Sequence, residues 1–215
     1  MKKEKKYVEE IVKRLKKAYG KVGLALHCSN PLELLISLIL AAQCTDERVN
    51  AVTAILFKKY RTAGDWKKIP LPKLETEIRS TGFYRNKTRS IHNCCTMLDE
   101  KYSGRVPNEL EKLLELPGVG RKTANILLGN AFGKPAIGVD THVGRVSQRL
   151  GLTDQEDPDK IEFDLNPLVP DRDKVVFCHL LQAHGRKICV ARKPKCPECV
   201  LNTICPYPKK MGIKL

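Results

Sequence analysis

Four cysteines near the end of the chain constrain its fold more than any other sequence feature. They occur in the segment CVARKPKCPECVLNTIC with C-x6-C-x2-C-x5-C spacing, as Cys189, Cys196, Cys199 and Cys205. Four thiolates this close together predict a shared ligand, and soft sulfur ligands suit either a tetrahedral zinc ion or an iron-sulfur cluster. The unequal gaps differ from the paired C-x2-C units of common structural zinc sites. We therefore favour a [4Fe-4S] cluster over zinc.

Basic residues fill the first gap of this cysteine cluster. Arg192, Lys193 and Lys195 lie between Cys189 and Cys196. A metal group that pins this loop would present three cations, which makes the loop a candidate phosphate clamp. Charges of this kind can equally be solvated surface residues, and the spacing does not separate the two interpretations.

The remaining cysteines and the N-terminal segment bear on the compartment. Five further cysteines show no ligand spacing and are predicted to be packed as small apolar residues: Cys28, Cys44, Cys94, Cys95 and Cys178. The segment MKKEKKYVEEIVKRLKK has apolar residues at helical spacing and no apolar signal-peptide core behind it. We therefore expect an N-terminal surface helix, a reducing cytoplasmic compartment with nucleoid association, and no membrane partner.

Helix signals run along the whole sequence, and no segment alternates as a strand does. Asn30-Pro31 is followed by an apolar run, Thr45 or Asp46 begins the next helix, and Asn108 with Glu111 resembles a capping box. We predict an all-α fold with nine or ten short helices. The formal charge of +15 predicts a polyanionic partner.

The segment LPGVGRKTA at residues 116–124 predicts a hairpin that anchors a phosphate. Gly118 and Gly120 permit a sharp turn and bring backbone amides close to an anion at the start of the next helix, ahead of Arg121. An ordinary helix connection would show a similar turn. In a chain of this charge we favour a helix-hairpin-helix DNA anchor.

Lys122 and Asp140 are the candidate catalytic residues. Lys122 lies in the first turn of the helix after the hairpin, where the positive partial charge disfavours its protonated form, and a neutral lysine is a nucleophile. Asp140, in VDTH, precedes a helix near Thr141 and is expected to cap it. A capping carboxylate can also stabilise a developing cation or accept a proton. Out of context, the lysine would be a surface charge and the aspartate only a cap.

LPGVGRKTA, VDTH and the cysteine cluster, in this order and at these separations, closely resemble the endonuclease III family of helix-hairpin-helix DNA glycosylases. The resemblance covers essentially the whole chain and includes LAAQCTD at 40–46 and TGFYRNKT at 81–88. It implies a two-domain fold with a six-helix barrel domain at 24–132 and a discontinuous [4Fe-4S] cluster domain at 1–23 and 133–215, with the active-site cleft between them.

The resemblance also implies roles for individual residues. Lys122 matches the lysine that forms a Schiff base, Asp140 the catalytic carboxylate, and Gly118 and Gly120 the phosphate-binding hairpin. Gln43 matches the glutamine that fills the gap left by a flipped nucleotide. The four cluster cysteines match the [4Fe-4S] ligands.

Three positions depart from the family pattern. Phe83 stands where relatives place an apolar wedge, usually leucine, between bases. Cys44 replaces a small alanine, and Gly144 replaces a bulkier residue. These departures leave the implied chemistry in place.

The implied function is a bifunctional DNA glycosylase and abasic-site lyase. It would act as a monomer on duplex DNA that contains oxidised pyrimidines or abasic sites. One alternative is a monofunctional adenine or mismatch glycosylase, which typically lacks a lysine at position 122. Another is a DNA-binding or redox-sensing module without catalysis.

Overall fold

The computed structural model describes residues 2–214, and side chains from residue 5 to residue 214. This part of the chain forms twelve α-helices and three short 3₁₀ helices, without a β-strand. The all-α prediction is confirmed, but nine or ten helices was too few. Three of the helices have only four or five residues, too short to produce a helical period in the sequence.

The helices lie in two compact units. The bounds of the α-helices are α1 Lys2–Tyr19, α2 Pro31–Leu40, α3 Asp46–Lys59, α4 Ala63–Lys67, α5 Leu71–Ile78, α6 Tyr84–Tyr102, α7 Leu110–Leu114, α8 Arg121–Phe132, α9 Thr141–Arg149, α10 Pro158–Leu165, α11 Lys174–Lys187 and α12 Tyr207–Lys210. The 3₁₀ helices are Arg79–Thr81, Asp171–Asp173 and Cys196–Glu198.

The first unit, Leu24–Gly133, contains α2 to α8. Helix α2 is its buried centre, with seven of its ten residues buried, and it packs against α3, α6 and α8. Helix α6 packs on α4 and α5, and the fully buried Trp66 of α4 contributes the largest core side chain. The apolar run after Asn30 is therefore the buried helix that the sequence predicts.

The second unit combines residues 1–23 with residues 134–215. Helix α1 buries Val8, Ile11, Val12 and Leu15 on one face, and α11 contacts both α1 and α9. The contact between α9 and α11 needs a glycine, because a Cβ at Gly185 would lie only 3.0 Å from the Cβ of His142. This close packing fixes the helix that follows Asp140.

Helix starts follow the predicted caps, with one exception. The Asn30 side chain accepts a hydrogen bond from the amide of Glu33 at 3.0 Å, and Thr45 accepts one from Arg48 at 3.3 Å. Helix α7 begins at Leu110, one residue later than a cap at Asn108 implies, and its N-cap residue Glu109 makes no side-chain capping bond. The capping box at Asn108 stays a prediction.

None of the described helices is long and apolar enough to cross a membrane.

Candidate functional site

The predicted hairpin joins α7 to α8 in the first unit. Gly118 has a φ of +82°, which a side chain disfavours, and the amide of Val119 donates to the carbonyl of Leu116 at 3.0 Å. Gly120 is the N-cap residue of α8 and supplies no side chain to bind the helix amides. The amides of the first helical turn therefore lack a side-chain cap, which is the arrangement that binds an anion.

The two hairpin glycines are required for different reasons. A Cβ at Gly118 would lie 2.7 Å from the Cβ of Ser90, and its φ is left-handed. Gly120 has an ordinary extended backbone, with φ of −90°, and no atom would lie within 4 Å of an added Cβ. The fold thus requires glycine at position 118, whereas the open space at position 120 suits close approach of a ligand.

This difference gives a prediction. Gly118→Ala is expected to lower the free energy of unfolding by about 1–3 kcal/mol, because it adds both backbone strain and a clash. Gly120→Ala is expected to change it by less than about 1 kcal/mol and yet to weaken binding to duplex DNA. Thermal unfolding and a DNA titration on both variants measure this. Equal stability losses in the two variants would contradict it.

Lys122 is exposed in the first turn of α8, at the open end of that helix. Its neighbour Arg121 is partly buried. The amine therefore lies beside helix amides that have no side-chain cap.

Asp140, in the second unit, is the N-cap of α9, as the sequence predicts. Its Oδ1 accepts hydrogen bonds from the amides of His142 at 2.9 Å and Val143 at 2.7 Å. These bonds hold the carboxylate in a fixed orientation, and they leave Oδ2 for another partner. The residues before it, 136–139, are buried, so they anchor the backbone that presents Asp140.

A basic side chain, Arg145, lies beside the start of α9. The Arg145 guanidinium lies 3.1 Å from Nδ1 of His142 and donates to the carbonyl of Gly185 at 2.9 Å. Burial lowers the pKa of His142, and the neighbouring Asp140 charge opposes that shift. A neutral imidazole beside Asp140 leaves the carboxylate to act without a tight ion pair to that ring.

Gln43 and Phe83 are exposed in the first unit and share an unusual backbone. Both have positive φ, 52° for Gln43 and 47° for Phe83, and Phe83 is 62% exposed. Among the described residues that are not glycine, just four have positive φ. Lys193, with a φ of 53°, is another of these four. Such strained positions cluster at functional sites. Three of the four are residues that the sequence assigns to DNA contact.

The four cluster cysteines line one cavity in the second unit. Cys189 follows α11, Cys196 begins the last 3₁₀ helix, Cys199 follows it, and Cys205 lies just before α12. All are free thiols. Burial, together with the charges of the other three cysteines, raises the pKa of Cys199 to about 11, although a bond from the amide of Leu201 opposes the shift. Four thiolates around one cavity would repel each other, so this set of donors fits a ligand with cationic iron.

Among the side chains that the structure describes, no three His, Cys, Asp or Glu residues are grouped so that they could hold one metal ion. The four cysteines nevertheless surround the same cavity.

Arg149 holds the loop between Cys189 and Cys196. Its guanidinium donates to Sγ of Cys189 at 3.3 Å and to the carbonyls of Val190 at 2.8 Å and Ala191 at 2.9 Å. It also stacks over the ring of Tyr207, with 4.6 Å between guanidinium carbon and ring centroid. The exposed Arg192, Lys193 and Lys195 therefore extend from an anchored loop.

Two residues with a candidate role in the site were not predicted from the sequence. They are Arg149 and the buried Lys87. Arg149 is an unremarkable last-turn arginine in the sequence. The sequence does contain an indication that Lys87 has a special role. Lys87 lies within TGFYRNKT, in the first turn of a helix, where a cation is electrostatically disfavoured.

Known proteins match the chain over nearly its full length. The family described as HhH-GPD superfamily base excision DNA repair protein matches residues 36–171, and the iron-sulfur binding domain of endonuclease III matches residues 189–205. The endonuclease III of Synechocystis sp. is 48% identical over 204 residues, which cover 94% of this chain and 93% of the relative.

Two solved structures are also similar. One is an endonuclease III trapped in a covalent intermediate with DNA, with 44% identity, TM-score 0.90, and coverage of 97% of this chain and 98% of that one. The other is a thermostable thymine-DNA glycosylase, with 27% identity, TM-score 0.86, and coverage of 95% and 98%.

Proposed function

Because the chain belongs to the endonuclease III family, within the HhH-GPD superfamily of base excision repair proteins, we propose that it removes oxidised pyrimidines from duplex DNA and cleaves the strand 3′ to the resulting abasic site. It is a DNA glycosylase. The observation that carries the lyase assignment is the exposed Lys122 amine directly behind the uncapped start of α8.

Lys122 is the proposed nucleophile. Its neutral Nζ attacks C1′ of the damaged nucleotide, and the C1′–N bond breaks as the base leaves with the bonding electrons. Loss of the amine protons and opening of the sugar ring, whose O4′ takes a proton, leave an imine at C1′. The imine makes a C2′ hydrogen acidic. Removal of that hydrogen as a proton expels the 3′ phosphate by β-elimination, and water later releases Lys122.

Asp140 is the proposed catalytic carboxylate. Its negative charge stabilises the cationic character that develops at C1′, and Oδ2 can accept a proton from the attacking amine. The two amide bonds to Oδ1 keep the group in place, so little reorganisation is needed during the reaction.

The proposed DNA contacts divide into two kinds. Gly118, Gly120 and Arg121 bind phosphate through the hairpin, and Arg192, Lys193 and Lys195 bind it through the cluster loop. Gln43 fills the gap that the flipped nucleotide leaves, and Phe83 stacks between bases. The net charge of +15 supports a strongly salt-dependent association with duplex DNA.

The chain carries an iron-sulfur domain, and we propose that it holds a [4Fe-4S] cluster. Cys189, Cys196, Cys199 and Cys205 would ligate it, consistent with their common cavity and their free thiols. The bound cluster supplies a cationic cross-link that fixes the loop of Arg192, Lys193 and Lys195. We assign residues 1–23 and 133–215 to this cluster domain and residues 24–132 to a barrel domain that carries the hairpin.

The proposal includes the setting in which the enzyme works. We propose a monomer in a reducing, nucleoid-containing cytoplasm, because nine unpaired cysteines suit a reducing environment.

A monofunctional mismatch or adenine glycosylase is the second candidate. Similarity to the thymine-DNA glycosylase favours it at the level of the fold. An amine at position 122 argues against it, because a monofunctional enzyme activates water instead and has no need of that nucleophile. A DNA-binding module without catalysis would not need Asp140 and Lys122 together.

Product analysis on single-lesion duplexes tests the proposed function. The panel contains thymine glycol, an abasic site, adenine opposite an oxidised guanine, and a G·T mismatch, each with and without borohydride. We expect strand cleavage and covalent trapping with thymine glycol and the abasic site. Base release from either mismatch without cleavage would instead identify a monofunctional enzyme.

A further inference from the structure

Lys87 is a buried cation in a position that disfavours one. It is 4% exposed and lies in the first turn of α6, where the helix carries positive partial charge. Its Nζ donates to the carbonyl of Leu40 at 2.8 Å and to the carbonyl of Thr81 at 2.7 Å. These two bonds compensate the burial of the charge, which without them would be strongly unfavourable. Local helix stability therefore does not explain the lysine.

The two carbonyls belong to the segments that carry Gln43 and Phe83. Leu40 is the last residue of α2, three positions before Gln43, and Thr81 precedes Phe83 by two positions. The backbone amide of Lys87 also donates to the carbonyl of Phe83 at 3.1 Å. One residue thus binds both segments directly, although Leu40 and Lys87 are 47 positions apart.

The other hydrogen bonds described for the two segments are local. Gln43 lies in a turn closed by a 3.2 Å bond from the amide of Cys44 to the carbonyl of Ala41, and before Phe83 the amide of Gly82 donates to the carbonyl of Arg79 at 3.3 Å. Phe83 is the N-cap residue of α6 and makes no side-chain capping bond. Both residues have left-handed backbones, which persist only where the surroundings impose them. The Lys87 amine, in contrast, joins one segment to the other.

We propose that Lys87 is a positioning residue that ties the Gln43 and Phe83 segments together, so that both side chains enter the duplex as one preorganised unit. This inference rests on the proposed function, in which those two side chains replace and stack on bases. The amine of Lys87 donates to two carbonyls of the protein itself. Its role therefore differs from that of Lys122, whose amine is proposed to react with DNA. Preorganisation favours binding because less ordering remains to occur on contact with DNA.

The test asks whether Lys87 acts through Gln43 and Phe83. Lys87→Met keeps the length of the side chain and removes both donated bonds. In the parent protein, we expect it to weaken binding to a thymine glycol duplex by about tenfold. In the Gln43→Ala/Phe83→Ala background, it should weaken binding by less than about twofold, because the side chains that it positions are already gone.

A second substrate separates positioning from general damage. Borohydride trapping on a single-stranded abasic oligonucleotide requires no opening of a base stack. Lys87→Met should therefore leave that trapping within about twofold of the parent. Ile91→Val is the matched control, because it removes a methyl group from the buried face of the same helix and alters no hydrogen bond of either segment. Ile91→Val should change neither duplex binding nor single-strand trapping in preference to the other.

Contrary outcomes are equally specific. An equal loss of binding in both backgrounds, or an equal loss on duplex and single strand, would overturn the positioning role. If circular dichroism shows that Lys87→Met does not fold, Lys87→Gln replaces it, because its shorter amide reaches at most one carbonyl. Failure of the parent to trap any abasic DNA would show instead that the proposed function is wrong.

Discussion

Lys122→Gln is expected to abolish covalent trapping of abasic or thymine glycol DNA by borohydride. Reduction fixes a covalent bond only where an imine has formed, and a carboxamide cannot form one. The substitution should preserve the fold, because Lys122 is exposed and a surface change of this kind costs less than about 0.5 kcal/mol. Binding to lesion-containing duplex should persist, since the hairpin amides and the basic loop are unchanged.

The matched control is Lys58→Gln. Lys58 is an exposed lysine in the last turn of α3, in the same unit, and its replacement removes the same charge. Trapping by that variant should equal trapping by the parent. Gel analysis of the reduced complexes measures both, and trapping undiminished in Lys122→Gln would reject Lys122 as the nucleophile.

Asp140→Asn is expected to slow strand cleavage by about 10²- to 10⁴-fold, the range typical for loss of a positioned acid or base. Asparagine caps a helix about as well as aspartate does, so α9 should keep its start and the loss should come from the missing charge. Asp140→Ala would be less informative, because it would also cost about 1 kcal/mol of capping energy. Single-turnover cleavage of an abasic duplex is the measurement.

Asp157→Asn provides the control for Asp140. Asp157 is the N-cap of α10 in the same unit, and its Oδ1 accepts two amide bonds, from Asp159 and Lys160, both at 3.0 Å. The two variants therefore make the same change to the same kind of cap. Cleavage by Asp157→Asn should match the parent. If Asp140→Asn also matched it, the carboxylate would be only a cap.

Local rules account for what could be predicted about the separate parts of the candidate site. The cap at Asp140 is decided within three residues, because its acceptor and its donors lie in one turn of chain. The left-handed φ of Gly118 likewise follows from a short glycine-containing turn. Asn108 shows the limit of such rules, since α7 begins at Leu110, one residue later than a cap at Asn108 implies.

Contacts between distant parts of the chain escaped prediction. Arg149 reaches Cys189 across 40 positions, and Lys87 reaches Leu40 across 47. Both acceptor sets include backbone carbonyls, which every residue carries, so nothing in the sequence marks Leu40 or Ala191 as a partner. The left-handed backbones at Gln43 and Phe83 could not be predicted either, because neither residue is a glycine.

The sequence alone determined the helical class, the buried helix after Asn30 and the helix starts on which Lys122 and Asp140 lie, because hydrophobic period and capping act over a few residues. Only the tertiary structure decided which segments Lys87 joins and which loop Arg149 anchors. The four cysteines, whose spacing already predicts a shared ligand, line one cavity in it. These arrangements come from packing that brings distant backbone groups within hydrogen-bonding distance, and no local pattern encodes that distance.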